Sequence, residues 1–132
     1  MQMDSARRGL AILAYCLMPE HIHFIAIPDT ERSLSTTLRD THTAFAVYRN
    51  RVDHRSGHVW QGRFFSCVLD DVHLWSAIKY VENNPVYAGL AASANDYLWS
   101  SAAAHCGLRT DTFLSALPAE SELIADWAAW LS

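Results

Sequence analysis

The order of apolar and polar residues divides the chain into short strands and helices. Two apolar runs, Leu10 to Met18 and His21 to Ile27, lie two residues apart, and this spacing predicts an antiparallel hairpin. Ser33 is expected to cap the helix that follows, because apolar residues then recur at helical intervals. The positions that define this period are Leu34, Leu38, Thr41, Phe45 and Tyr48.

The second half of the chain continues the alternation. A third strand is predicted over RFFSCVLD, from Arg63 to Asp70. Asp70 or Asp71 is expected to cap a helix that ends at Asn84-Pro85, because proline cannot continue it. A short helix over DYLWSSAAAHCG should stop at Gly107, and AESELIADWAAWL should form an amphipathic helix. The inward residues of that last helix are predicted to be Leu123, Trp127 and Trp130.

This alternation predicts an α+β fold of ferredoxin-like or RRM-like kind, an antiparallel sheet with helices packed on it. The 132 residues suit a single domain over 1–132, and the apolar half of the composition suits a packed core. The three cysteines form no CxxC pair, so they are expected to be buried thiols of a cytoplasmic protein. No apolar run approaches the length of a membrane span.

The charges are unevenly distributed along the chain. Four arginines and one acid lie between His42 and Val68, whereas six acids and one base lie between Tyr80 and Ser132. The net charge of −4 argues against a protein that coats nucleic acid through its overall charge. The basic middle segment, however, is suited to binding phosphate groups. Its candidate DNA-binding residues are Arg49, Arg51, Arg55, His58 and Arg63. Two aromatic residues of the same segment, Trp60 and Phe64, have two possible roles. Their rings could stack with unpaired bases, or they could be core residues.

Two histidines stand two residues apart within the second apolar run. In a strand, residues i and i+2 share a face, so His21 and His23 point the same way. Two imidazoles on one face are able to bind one divalent cation if a third ligand lies nearby. They could equally be surface residues of a half-buried strand, since an HxH pair arises easily by chance in a histidine-rich chain.

Four segments together resemble one protein family: AYCLMPEHIHFIAIP, RSGHVWQGRFFSCVLDD, KYVENNPVYAGLA and DYLWSSAAAH. They resemble, in order from about Leu10 to His105, the single-tyrosine HUH transposases of insertion sequences. Within these they are most similar to the tyrosine transposases associated with repetitive extragenic palindromes.

The resemblance implies metal-assisted cleavage and rejoining of single-stranded or hairpin DNA. His21 and His23 match the HUH pair, which would bind a divalent metal, Mg or Mn, at the scissile phosphate. A tyrosine on a later helix would attack that phosphate and form a 5′-phosphotyrosine link.

The chain departs from the family at that tyrosine. Counting back from Tyr80 places the family position at His73 or Leu74. Three alternatives follow: His73 attacks instead, Tyr80 substitutes from roughly 10 Å further along the helix, or cleavage is lost and only DNA binding remains. The family's additional metal ligand would fall near Ser76 to Ile78, where only the serine is polar.

A second departure lies at the front of the chain. Family members usually begin with another strand and helix, and only about nine residues precede the first apolar run here. A sheet lacking a strand exposes an edge, so the sequence predicts either a homodimer that covers this edge or a degenerate start.

Overall fold

A computed structural model of the chain describes residues 9–132. The strands are β1 (Leu10–Leu17) and β2 (Ile22–Pro28), and the helices are α1 (Ser33–Val52), α2 (Asp71–Tyr87), α3 (Ala102–His105) and α4 (Trp127–Leu131). Two short 3-10 helices, Ala94–Asp96 and Ala119–Leu123, lie in the connections. Helices with an antiparallel hairpin confirm the predicted α+β class. The expected missing strand and helix concern residues 1–8, which lie outside the described residues.

The described residues form two compact units. One comprises residues 9–10 and Pro28–Val68, and the other comprises Ala11–Ile27 and Leu69–Ser132. The histidine pair and α2 therefore belong to the second unit, whereas the arginine-rich segment belongs to the first. The single domain expected over residues 1–132 stays a prediction.

The hairpin forms where the apolar spacing predicts it. The Met18 N–H donates to the carbonyl of His21 at 2.8 Å and closes the turn over Pro19 and Glu20. On its other edge, β1 pairs with a short segment around Ser100: the Leu17 N–H donates to the Trp99 carbonyl at 2.7 Å. The Ser101 N–H also donates to the Tyr15 carbonyl at 3.0 Å, so the C-terminal half of β1 has backbone partners on both edges.

Apolar residues from the hairpin and three helical segments meet in the core of the second unit. β1 contributes Leu13, Ala14 and Cys16, β2 contributes Ile25, and α2 and α4 contribute further apolar side chains. The fully or nearly buried members include Leu13, Ala14, Cys16, Ile78, Val81, Ala102, Trp127 and Leu131. One face of α2 packs on this core, and its remaining faces are therefore available for other contacts.

Helix α2 begins as predicted but ends later. The Asp70 side chain accepts the His73 N–H at 2.8 Å and forms the N-cap. The expected end at Asn84-Pro85 is wrong, because the helix continues through Pro85 to Tyr87. A proline so near the C-terminus forfeits one backbone hydrogen bond, and the end is closed by the Leu90 N–H, which donates to the Pro85 carbonyl at 2.8 Å.

Helix α1 carries its buried residues at its N-terminal end. Ser33 is its first residue and not its cap, since Arg32 holds the cap position without a side-chain hydrogen bond. Thr37 and Leu38 are buried, whereas Phe45 and Tyr48 of the predicted apolar period are exposed. The helical period was therefore correct, but only its first half marks a core face.

The predicted strand from Arg63 to Asp70 is wrong, since the described structure assigns no strand there. Its apolar side chains are exposed, with Phe65 92% and Val68 96% exposed. An apolar-rich sequence predicts a strand only if one face becomes buried, and here none does. For the same reason Phe64 is not a core residue, and Cys67 is an exposed thiol although it was predicted to be buried.

The predicted C-terminal helix is divided. Residues Ala119–Leu123 form a 3-10 helix, and α4 begins only after Asp126, whose side chain caps it through the Ala129 N–H at 3.0 Å. Trp127 lies inward as expected and Trp130 is half-buried, but Leu123 is 85% exposed because it precedes the break. In the described ranges, none of the helices is both long and apolar enough to cross a membrane.

Candidate functional site

The two histidines lie together at the turn end of the hairpin. His21 directly precedes β2 and His23 is its second residue, and their ring centroids are 4.8 Å apart with ring planes at 82°. His21 is exposed and His23 is half-buried. Burial, and then the neighbouring His21, lower the pKa of His23. A lowered pKa keeps the His23 imidazole neutral at pH 7, the form that binds cations.

This donor pair has the dimensions of a divalent metal site. Two imidazoles that bind one ion through nitrogen at about 2.1 Å place their ring centroids roughly 5 Å apart. The observed separation of His21 and His23 is 4.8 Å, so the pair fits as two of the ligands. Within residues 9–132, no third His, Cys, Asp or Glu joins them to complete a cluster. Remaining ligands would have to come from water or from an oxygen of a bound molecule.

Tyr80 of α2 lies against the histidine pair. Its ring centroid is 5.9 Å from that of His23, with the planes at 75°, and 53% of the residue is exposed. The Tyr80 hydroxyl makes no hydrogen bond with another residue in the described part of the chain. A tyrosine with a free hydroxyl thus stands at the edge of the two imidazoles. Among the sequence-predicted catalytic residues, it is the one that contacts the pair.

The residues at the family tyrosine position lie elsewhere. The His73 ring is exposed in the first turn of α2, where its Nδ1 is 2.6 Å from the Asp70 carboxylate. The bonds from His73 lower the pKa of Asp70, beginning with the backbone N–H. Leu74 packs against the core of the second unit. Neither side chain makes a ring contact with His21 or His23 in the described structure.

A second tyrosine extends the site, although the sequence interpretation did not select it. Tyr87 is the last residue of α2, and its ring centroid is 6.2 Å from that of Tyr80. It is 65% exposed. The signal was present in the sequence, since residues seven apart on a helix lie on one stripe.

The candidate DNA-binding residues of the first unit lie on the end of α1 and the loop after it. Arg49 forms an ion pair with Asp53 at 2.8 Å. In residues 9–132, no ion pair joins Arg51, Arg55 or Arg63, and all three are exposed, as is His58. Their guanidinium groups are therefore available to phosphates.

Aromatic stacking holds this loop against α1. The Trp60 ring stacks on His42 at 4.1 Å with 20° between the planes, and its indole N–H donates to the His42 carbonyl at 2.9 Å. Burial lowers the pKa of His42. The Asn50 side chain also donates to the Gly57 carbonyl at 3.0 Å. Trp60 is consequently a half-buried packing residue that positions the loop arginines, as the core alternative predicted.

A buried carboxylate fixes the helix that carries Tyr80. Glu82 has no exposed surface, and three donors converge on it: the Ser101 hydroxyl at 2.5 Å, His105 Nδ1 at 2.5 Å and the Trp127 indole at 2.8 Å. Ser101 directly precedes α3, His105 is the last residue of α3, and Trp127 is the first residue of α4. The sequence interpretation did not identify this cluster, because its members lie far apart along the chain.

Comparisons with known proteins identify a family and a similar fold. A family model described as "Transposase IS200 like" matches residues 2–84, more than half of the chain. The fold is similar to that of a REP-associated tyrosine transposase solved in complex with a REP hairpin, with a TM-score of 0.65. The two sequences are 22% identical, and the match covers 88% of this chain and 68% of the other. No curated protein matches the chain.

Proposed function

Because this chain belongs to the IS200-like transposase family, we propose that it acts on single-stranded or hairpin DNA by metal-assisted strand cleavage and rejoining. The structural neighbour with the same fold is bound to a REP hairpin, which supports a folded single strand as the substrate. The cytoplasmic location and the homodimer stay predictions.

One observation carries the proposal: His21, His23 and Tyr80 are in contact. Strand transfer of this kind requires a group that neutralises phosphate charge and a nucleophile beside it. The histidine pair provides two imidazoles, and burial lowers the pKa of His23. Tyr80 provides a hydroxyl that is not hydrogen-bonded in the described residues. Because Tyr80 lies two helical turns after the family position, the attacking residue has moved along α2.

In the proposed reaction, the Tyr80 hydroxyl oxygen attacks phosphorus and releases its proton to solvent. The new bond is tyrosine oxygen to phosphorus, and the bond that breaks joins phosphorus to the 3′ oxygen, which leaves as a hydroxyl. The released 3′ oxygen takes its proton from water. In the rejoining step, the 3′-hydroxyl of a second strand attacks the phosphotyrosine, forms a new phosphorus–3′ oxygen bond and gives its proton to solvent. The bond from phosphorus to the tyrosine oxygen breaks, and that oxygen takes up a proton and regenerates Tyr80. A divalent metal held by His21 and His23 would supply charge neutralisation at the phosphate.

Tyr80→Phe is expected to abolish the covalent protein–DNA product. The phenylalanine keeps the ring that contacts His23 but removes the attacking oxygen. The measurement is incubation of the protein with a labelled hairpin oligonucleotide and Mn²⁺, followed by denaturing electrophoresis to detect an adduct. A mobility-shift assay with both proteins should give similar affinities, because the substitution changes one hydroxyl.

His73→Phe is the matched comparison, since it removes the other candidate nucleophile on the same helix. It should leave adduct formation within about twofold of wild type, because the His73 side chain is hydrogen-bonded to Asp70 and makes no ring contact with His21 or His23 in the described residues. If instead the His73 variant loses the adduct and Tyr80→Phe keeps it, the nucleophile is the imidazole and the assignment of Tyr80 is wrong.

The exposed arginines of the first unit are proposed to hold the DNA backbone. Arg63→Ala should weaken hairpin binding several-fold and reduce the slope of log affinity against log salt by about 0.7 to 1, as for one lost phosphate contact. Arg39→Ala is the control, because its guanidinium already pairs with Asp40 at 2.9 Å. Fluorescence anisotropy across a salt series measures the affinity and the salt slope of each variant. An unchanged slope for Arg63→Ala would exclude that residue from the interface.

A second function is a DNA-binding protein without cleavage. It is favoured by the residue at the family tyrosine position, His73, and by the missing third His, Cys, Asp or Glu ligand within residues 9–132. The adduct assay separates the two functions. A mobility shift of the hairpin without any adduct, in Mn²⁺ or Mg²⁺, would support binding alone.

A further inference from the structure

The rings at the candidate site form a continuous series. Centroid separations are 4.8 Å from His21 to His23, 5.9 Å on to Tyr80 and 6.2 Å on to Tyr87. Single exposed apolar side chains are common on protein surfaces, whereas a contiguous row that begins at a candidate site indicates a binding surface. The two tyrosines are more than half exposed, and neither hydroxyl is hydrogen-bonded in the described residues.

The far end of this row is held in place by the closing turn of α2. The Ala88 N–H donates to Asn84 and the Gly89 N–H to Val86, each at 3.0 Å, so the backbone on both sides of Tyr87 is fixed. Asn83, Asn84 and Pro85, which precede it, are buried. The Tyr87 ring is therefore presented from a rigid support, which lowers the entropic cost of binding a ligand.

Between Tyr80 and Tyr87, α2 presents no exposed carboxylate that would repel a polyanion. Between Tyr80 and Tyr87 the helix contains one acid, Glu82, and that carboxylate is fully buried and satisfied by three donors. Exposed tyrosine rings without a neighbouring exposed carboxylate on the helix are a typical surface for unpaired bases. Protein partners would also accept apolar rings, but continuity with the histidine pair points to the substrate strand.

We propose that Tyr87, next to Tyr80, forms a subsite that stacks an unpaired base of the DNA strand adjoining the cleaved phosphate. This inference rests on the proposed function and extends it from the scissile phosphate to a neighbouring nucleotide. Stacking on an aromatic ring tolerates any base, so the subsite positions the strand without reading its sequence.

The test is a binding comparison in EDTA, where no cleavage occurs. The probes are a fluorescent hairpin oligonucleotide with a single-stranded flank and the same hairpin with abasic residues throughout that flank. Tyr87→Ala should weaken binding to the first probe about 5- to 50-fold and leave binding to the abasic probe unchanged. Tyr87→Phe should bind as wild type, because it retains the ring. Leu108→Ala is the control, since Leu108 is also 65% exposed in the same unit.

The outcomes separate this inference from the proposed function. If wild type prefers the flank with bases but Tyr87→Ala binds both probes as wild type does, the subsite is overturned while DNA binding stands. An equal loss on both probes also overturns it, because the lost contact is then not with a base. If the base-dependent loss is seen but no adduct forms with Mn²⁺, the subsite stands and cleavage fails. Failure of wild type to bind either probe overturns both.

Discussion

Replacing His21 and His23 together with alanine should reduce the rate of covalent adduct formation about 10³-fold while hairpin affinity in EDTA changes little. The two imidazoles are the groups near Tyr80 that are able to hold a cation, and their separation of 4.8 Å suits a shared ion. Without charge neutralisation, attack on a phosphodiester anion loses its main electrostatic stabilisation. Affinity depends instead on arginines and rings that the substitutions leave in place.

The metal itself gives an independent measurement. Titration calorimetry with Mn²⁺ in the presence of a hairpin oligonucleotide should detect binding to wild type and none to the double variant. His54→Ala serves as the control, because it removes a histidine of the other unit that is not a candidate metal ligand. Equal Mn²⁺ binding by wild type and the double variant would show that the metal, if required, is held elsewhere.

The hairpin and the histidine pair were predictable because they depend on local order. Two apolar runs separated by Pro19 and Glu20 leave little choice but an antiparallel turn, and the two-residue strand period then aligns His21 with His23. The Asp70 cap was predictable for a similar reason, since a capping carboxylate acts on an N–H three residues later. Such features need no knowledge of the tertiary structure.

The errors share a physical cause, which is that apolar residues do not reveal what will cover them. The segment around Phe65 has the composition of a strand, yet the edge of β1 is taken by the backbone near Ser100. Pro85 seemed to end α2, but a proline in the last turn costs only one hydrogen bond. The contact of Tyr80 with His23 could not be predicted from the sequence either, because it joins a helix to a strand more than fifty residues away along the chain.

Glu82→Ala should destabilise the protein by about 3 to 5 kcal/mol, the largest stability effect expected for one exchange on α2. Glu82 is fully buried, and its removal leaves His105 Nδ1 and the Trp127 indole without their acceptor. The Ser101 hydroxyl keeps only the Tyr15 carbonyl, at 3.3 Å. It also leaves a void between α2, α3 and α4. For a chain of this size the midpoint of thermal unfolding should fall by about 10 to 20 °C.

Urea unfolding followed by tryptophan fluorescence measures this loss, since Trp127 belongs to the cluster itself. Glu122→Ala is the matched control, because that glutamate is exposed and should change stability by less than about 0.5 kcal/mol. The stability of Glu82→Gln should lie between those of Glu82→Ala and Glu122→Ala. An amide keeps the volume and one acceptor, but it turns an N–H₂ group toward existing donors. If Glu82→Ala unfolds at the same urea concentration as the control, the carboxylate does not hold α2 in place. The position of Tyr80 beside the histidines would then depend on the apolar core alone.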